Sequence, residues 1–91
     1  MKVQISARAA RELHRQIAWL ERLSPRAAEA ATTALHERIQ LLAEHPFSAP
    51  AVSRRQRQVH VRFGRDGFIV RYHVTNDNLM IDRVMHGRQN R

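Results

Sequence analysis

The sequence contains no cysteine, which excludes a disulfide scaffold, a thiolate nucleophile and a cysteine-ligated zinc site. It has no apolar run near the roughly 18 residues that span a bilayer. The segment Met1–Gln4 lacks the apolar stretch of a signal peptide. Acidic residues are also few, since 8 Asp and Glu stand against 16 Lys and Arg, which gives a formal charge of +8. These absences predict a basic, cytoplasmic protein that has no membrane segment and no metal site.

The length of 91 residues predicts one domain over residues 1–91, because domains usually run to about 100–200 residues. A chain of this length buries only about two thirds of its unfolded surface, so its core is thin. Apolar residues make up 43% of the sequence, which is too many for a disordered chain. We therefore expect a small globular domain whose stability increases when a partner binds.

The positive charge is concentrated in the second half of the chain. Residues 1–44 carry seven basic and five acidic side chains, whereas residues 45–91 carry nine basic and three acidic ones. Such an asymmetry indicates a polyanionic partner, either nucleic acid or an acidic protein segment. Fifteen of the 16 basic residues are Arg, whose planar guanidinium group suits phosphate and carboxylate. Codon usage in a GC-rich genome is an alternative explanation of the Arg to Lys ratio, but not of the scarcity of acids.

The first half of the sequence predicts a short strand followed by two helices. Lys2–Ile5 alternates polar and apolar residues, as a strand does. Ser6 is a suitable N-cap for a helix over Ala7–Arg22. Ser24 then caps a second helix, Pro25–Glu44, whose proline occupies the first helical position. So short a break between the helices predicts an antiparallel hairpin.

The second half predicts a loop over residues 47–57 and then three strands. The strands span Val59–Phe63, Phe68–Val74 and Leu79–Met85, and the first two alternate in hydropathy. Turns rich in Gly, Asn and Asp separate them, and a polar tail follows at residues 86–91. The predicted fold class is α+β in the order β-α-α-β-β-β, with the helical hairpin on one face of a small, mainly antiparallel sheet.

Motifs of known enzymes are missing from the sequence. The dipeptide His36-Glu37 resembles the start of a zinc-protease helix, but the second histidine that this motif needs is replaced by Gln40. The sequence has neither a glycine-rich phosphate loop nor a serine nucleophile elbow, and the segment Gly64–Gly67 is short enough to be a hairpin turn. We therefore expect no cofactor.

Three of the six histidines, His60, His73 and His86, lie on or next to the predicted strands. A pair of them would suit acid–base cleavage of RNA, which needs a proton donor and an acceptor near neutral pH. The alternative is that they are half-buried residues of the sheet. Nothing in the sequence places two of them together.

Arginines of the strands form a second candidate site. Arg62 and Arg71 alternate with the apolar residues of their strands, so pairing across the glycine turn places both on one face of the sheet. Arg83 joins them or faces the helices, because its strand is apolar on both sides. Such a cluster binds phosphates or an acidic peptide, and the alternative is a solvated sheet face.

Several segments together resemble the ParE/RelE superfamily of bacterial type II toxins, and the resemblance covers nearly the whole chain. The segments are Ser6–Ala10, Ser24–Ala28, Ile39–Pro46, Ile69–Val74 and Ile81–Arg88, which includes His-Gly-Arg after the last strand. The resemblance implies a small basic toxin that is encoded beside an antitoxin, an acidic and partly disordered protein that wraps around it. In the ParE branch the toxin poisons DNA gyrase, and in the RelE branch it cleaves mRNA on the ribosome.

The sequence departs from the RelE pattern, which uses Arg, Lys and a C-terminal Tyr or His. Phe68 and Ile69 stand where a basic residue is expected, the preceding loop has no Lys, and only His86 follows the last strand. We therefore favour a gyrase poison that acts by binding, not as an enzyme. The alternatives are a ribosome-dependent mRNA endoribonuclease that uses Arg62, Arg71 and His86, and a stand-alone basic nucleic-acid-binding module.

These functional hypotheses predict two sets of site residues. Residues predicted to bind the target are Arg62, Arg71, Arg83, His86 and Arg88. Residues predicted to bind the antitoxin are Leu13, Trp19 and Leu23, because the last two widen the apolar face of the first helix beyond its main stripe, and an amphipathic helix could bury them in a groove.

Overall fold

A computed structural model describes residues 1–88 and confirms the predicted fold class and order of elements. The elements are β1 (Lys2–Ile5), α1 (Ala7–Leu23), α2 (Pro25–Glu44), β2 (Gln56–Val61), β3 (Phe68–Thr75) and β4 (Asn78–His86). The last three residues of the predicted polar tail, 89–91, lie outside the described residues. The fold is α+β, with two helices and one four-stranded sheet.

Local capping sets both helix starts, as the sequence predicts. The Ser6 hydroxyl accepts a hydrogen bond from the backbone N–H of Ala9 at 3.0 Å. Ser24 ends α1 and caps α2 at the same time, because its hydroxyl accepts from the N–H of Ala27 at 3.1 Å. With a single residue between the helices and Pro25 at the start of α2, the two helices pack against each other as a hairpin.

The sheet has the strand order β1-β4-β3-β2. Strand β3 is antiparallel to both of its neighbours, β2 and β4, whereas β1 runs parallel to β4. Two residues, Asn76 and Asp77, join β3 to β4, and Asn76 takes a positive φ of 34°, which asparagine tolerates in such tight turns. The helical hairpin connects β1 to the rest of the sheet.

Strand β2 begins at Gln56 and ends at Val61, so the predicted strand over Val59–Phe63 starts three residues and ends two residues too late. The backbone N–H of Val52 donates to the carbonyl of Gln56 at 2.9 Å, and the segment that precedes β2 thereby folds back along its outer edge. The sequence hides this start because residues 56–58 are polar on both faces of the strand. Arg62 consequently lies beyond the strand, in the connection to β3.

The core lies between the helices and the sheet. Its largest fully buried side chains are Tyr72, Leu42, Leu79, Val70 and Val84. Burial raises the pKa of Tyr72. The Tyr72 hydroxyl donates to the carbonyl of Pro46 at 2.6 Å and so ties the loop after α2 to the middle of β3.

The opposite face of the sheet is not wholly polar. Ile69 and Met85 pair in register between β3 and β4, and both are buried although they lie outside the main core cluster. They share this face with Arg71, because side chains two residues apart point the same way in a strand. The candidate arginine face therefore has an apolar floor at its centre.

Helix α1 completes the edge of β4 where β1 has ended. The Ser6 hydroxyl donates to the carbonyl of Asp82, the Glu12 carboxylate accepts from the N–H of Val84 at 2.9 Å, and the Gln16 amide donates to the Val84 carbonyl at 2.8 Å. Backbone groups of an edge strand need such partners when they are covered. These bonds fix the orientation of α1 across the sheet.

Candidate target and antitoxin surfaces

Arg83, one of the predicted target-binding residues, is held by a tertiary ion pair. Its Nε and Nη2 donate to Glu12 Oε2 at 2.9 and 2.6 Å, and its side chain is only 22% exposed. Burial tends to raise the pKa of Glu12, but the hydrogen bonds from Arg83 and Val84 and the charges of Arg83 and Arg8 outweigh it, so that pKa is lowered. In the described structure, the charge of Arg83 is compensated at the joint between α1 and β4.

Arg71 lies within β3, whereas Arg62 lies one residue beyond the end of β2, so strand alternation does not fix the face of Arg62. Arg71 lies in the middle of β3, opposite Gln58 of β2, and its guanidinium donates twice to the Gln58 amide oxygen, at 3.1 and 2.8 Å. Because this acceptor is neutral, the positive charge of Arg71 is not cancelled by it. Arg62 is exposed in the connection after β2.

A histidine–aspartate pair on this face went unrecognised in the sequence. His73 Nδ1 lies 2.8 Å from Asp82 Oδ2, and the same oxygen accepts a hydrogen bond from the Gln56 side-chain amide at 3.0 Å. An irregularity in the register of β3 and β4 after Arg71 makes this contact possible, since it shifts the pairing by one residue at Asp82. No local pattern in the sequence signals such a shift.

The His73 pair borders a cleft of about 400 Å³ at the edge of the sheet. The cleft is also lined by Phe47, which is 64% exposed, and by the exposed pair Arg54 and Arg55 from the segment before β2. The Asp82 carboxylate can accept a hydrogen bond from Nδ1 of His73 and so fixes the orientation of the imidazole ring. This arrangement orients an imidazole next to positive charge.

At the other end of the sheet, His86 and Arg88 approach one carboxylate. Arg88 Nε lies 3.1 Å from Asp66 Oδ2, and His86 Nε2 lies 4.0 Å from the same oxygen. Asp66 belongs to the connection between β2 and β3, and its side chain is only 13% exposed. More than half of the Arg88 side chain remains exposed, so part of its guanidinium is accessible to a partner.

The predicted antitoxin-binding residues divide into two kinds. Trp19 and Leu23 are 52% and 65% exposed, as expected of residues beyond the main stripe of α1. Leu13 is instead partly buried and packs against the core. A partner on this helix would therefore touch Trp19 and Leu23 before it reached Leu13.

A groove of about 640 Å³ runs beside Trp19, between the second half of α1 and the connection from β2 to β3. We call it the Trp19 groove. Its walls include Phe63 and Phe68, whose rings stack with centroids 6.0 Å apart. Arg15, Arg22 and Arg65 also line it. The groove thus combines aromatic walls with three arginines, and Asp66 and His86 also line it.

Residues 1–88 contain neither a candidate metal-binding group nor a helix that could span a membrane. No group of three His, Cys, Asp or Glu side chains in this part of the chain could hold a metal ion. Neither of the two described helices is long and apolar enough to cross a membrane.

Comparison with known proteins identifies the family. The model of a family described as the ParE toxin of the type II toxin–antitoxin system parDE matches residues 3–91. The chain belongs to this family. Membership makes it the toxin component of a type II toxin–antitoxin system and implies a cognate antitoxin as partner.

Relatives of this ParE-family toxin include two proteins of Caulobacter vibrioides. Toxin RelE1 is 30% identical over 89 residues, covering 98% of this chain and 96% of its own, and toxin RelE3 is 32% identical over 89 residues, covering 98% and 97%. A solved structure, described as the chromosomal ParDE TA system from P. aeruginosa, matches with a TM-score of 0.72 and 20% identity, covering 94% of this chain and 95% of that chain. This structural likeness confirms the fold.

Proposed function

We propose that this toxin poisons DNA gyrase by binding and thereby blocks replication. The observation that carries the proposal is the burial of Phe68 and Ile69, which are 3% and 8% exposed. They stand where the resemblance to the RelE branch expects a basic residue. A nuclease must neutralise phosphate charge at defined positions, and two buried apolar side chains do not supply that charge.

The proposed target surface consists of the basic residues on the sheet and at the end of β4. In this proposal Arg62, Arg71, His86 and Arg88 meet the target, whereas the guanidinium of Arg83 is already held by Glu12. Exposed positive charge of this kind attracts an acidic or phosphate-bearing partner over several ångströms and fixes its orientation. The surface needs charge and shape, not proton transfer.

The proposed antitoxin surface is the Trp19 groove with the adjoining Leu23. An exposed tryptophan beside an aromatic-walled groove is a typical anchor for an amphipathic segment. Arg15, Arg22 and Arg65 line the groove and complement an acidic, partly disordered antitoxin. Binding there stabilises the native toxin by mass action, so the complex should melt at a higher temperature than the free chain.

Two variants test the gyrase proposal. His86→Gln keeps hydrogen-bonding capacity and removes titration near pH 7, so a gyrase poison should tolerate it. Removal of residues 88–91 deletes Arg88 and should weaken growth arrest more than His86→Gln does. Growth arrest, gyrase-dependent DNA breaks and transcript cleavage are measured in parallel for the parent and both variants. Transcript cleavage by the parent that disappears in His86→Gln would overturn the gyrase assignment.

A ribosome-dependent mRNA endoribonuclease is the second candidate, and the His73 pair favours it. In that case His73 Nε2 would accept the proton of the attacking hydroxyl, with Asp82 holding the imidazole. Arg71 and Arg62 would then contact phosphate. Under this candidate, His73→Gln should lower transcript cleavage by about 100-fold or more. His36→Gln is the matched control and should leave cleavage unchanged, because His36 is exposed on α2. If the parent cleaves no transcript in the presence of ribosomes, the candidate is rejected.

A further inference from the structure

The end of β4 is fastened to the connection between β2 and β3 by more than the Asp66 ion pair. The backbone N–H of Gly87 donates to the carbonyl of Gly67 at 3.0 Å. His60 Nε2 on β2 lies 2.7 Å from the Asp66 backbone oxygen. Together with the contact of Arg88 to the Asp66 carboxylate, these bonds form a unit that we call the Asp66 clasp.

Gly87 is a glycine because the clasp leaves no room for a side chain. A Cβ atom at this position would lie 1.8 Å from the Asp66 carbonyl oxygen, a distance that no real contact reaches. Unlike Gly64 and Gly67, Gly87 does not have a positive φ, so the requirement is one of space. The middle residue of the His-Gly-Arg segment is therefore explained by a tertiary contact with Asp66.

The clasp also determines where the flanking basic residues stand. His86 and Arg88 lie on either side of Gly87, and both approach the largely buried carboxylate of Asp66. A side chain that is fixed before binding loses less conformational entropy when it meets a partner. Arg88 keeps an exposed fraction of 54% while its Nε contacts Asp66.

We propose that Asp66 is a positioning residue for target binding, which holds the end of β4 so that Arg88 and His86 meet the target in a fixed orientation. The inference rests on the proposed function, in which these basic residues contact the target. Asp66 does not itself contact the target in this proposal. It acts through Arg88 and through the backbone of Gly87.

Asp66→Asn tests this proposal, because it keeps the size of the side chain and removes its charge. Asp77→Asn is the matched control, since Asp77 is exposed on the turn between β3 and β4 and its carboxylate has no ion pair among the described residues. Amide hydrogen exchange of Gly87 reports the clasp directly. We expect this exchange to be about 10-fold faster in Asp66→Asn, as a lost charge-assisted contact allows, and unchanged in Asp77→Asn.

The functional readout is a double-mutant cycle between Asp66→Asn and Arg88→Gln. Asp66→Asn alone should weaken growth arrest about 10-fold at equal toxin level, with a melting temperature close to that of Asp77→Asn. In the Arg88→Gln background the same change should have little further effect, since residues that act through one contact are not additive. Arg88→Gln alone should also speed exchange at Gly87, which tests the clasp from its exposed side.

Three results would overturn the proposal. The first is Gly87 exchange that neither variant changes, because the contact between Arg88 and the Asp66 carboxylate would then not hold the end of β4 in place. The second is faster exchange with undiminished growth arrest, and the third is additivity of the two substitutions. Failure of the gyrase assignment is distinguishable, because it would appear in the parent as growth arrest without gyrase-dependent DNA breaks. Growth arrest in the variants would still test the clasp in that case.

Discussion

The ion pair between α1 and β4 gives the most direct test of how this fold is stabilised. Glu12→Ala removes the acceptor of two hydrogen bonds from Arg83 and one from the N–H of Val84. The carboxylate and the guanidinium are 12% and 22% exposed, so water cannot fully replace the lost partner. Glu29→Ala is the matched control, because Glu29 is exposed on α2 and has no ion pair among the described residues.

The expected loss follows from the burial of the pair. Removing one partner of a fully buried ion pair costs about 3–5 kcal/mol, and the residual exposure here reduces this to about 2–3 kcal/mol. In a chain of this length, 1 kcal/mol corresponds to about 4–8 °C in melting temperature. We therefore expect Glu12→Ala to melt about 8–24 °C lower than the parent, and Glu12→Gln, which keeps one acceptor oxygen, to lose about half as much free energy of unfolding.

The contribution of the Glu12 carboxylate to the free energy of unfolding depends on pH in a defined direction. The pKa of Glu12 is lowered from its ordinary value of 4.5 in the folded chain, so between the folded pKa and 4.5 the unfolded state binds more protons. The stabilisation by the carboxylate is therefore present above pH 4.5 and is lost as the pH falls through the folded pKa. In thermal melting from pH 7 to pH 3, the difference in melting temperature between the parent and Glu12→Gln should become smaller below about pH 4.5.

Circular dichroism of the purified variants is sufficient for this measurement. If Glu12→Ala melts within about 2 °C of Glu29→Ala, or if the gap to Glu12→Gln is constant with pH, the ion pair does not stabilise the fold as described. The guanidinium of Arg83 would then not be held by Glu12 as the structure shows.

Three further predictions follow from single contacts. Gly87→Ala should lower the melting temperature much more than Gly64→Ala, because its Cβ meets a backbone oxygen at 1.8 Å whereas the space at Gly64 is open; equal losses, measured by thermal melting, would contradict the clasp. Trp19→Ala should weaken antitoxin binding by about 2 kcal/mol or more with little change in the melting temperature of the free toxin. Leu13→Ala should instead lower that melting temperature and change antitoxin binding little, because Leu13 is partly buried against the core. Binding calorimetry and thermal melting of the free toxin separate the two effects. Tyr72→Phe should cost about 0.5–1.5 kcal/mol in urea unfolding, because the part-buried hydrogen bond to the Pro46 carbonyl is lost, and the absence of a measurable loss would refute the role of this bond.

Much of the fold is determined by neighbours along the chain. Ser6 and Ser24 cap the first turns of the two helices through residues three positions away, and Pro25 is compatible only with the start of a helix. Polar and apolar alternation gives the strands after residue 68. The sequence therefore predicts the order of elements, the two helices and the side of β3 that faces the core.

The contacts of the candidate sites depend instead on tertiary structure. The Arg83–Glu12 bond joins residues 71 positions apart, and the contact of His73 with Asp82 requires a shift in strand register that no local pattern encodes. The clasp likewise depends on how closely the connection before β3 approaches Gly87. Sequence periodicity shows which face a residue occupies, but only the packing of α1 and the register of the strands decide which charges meet.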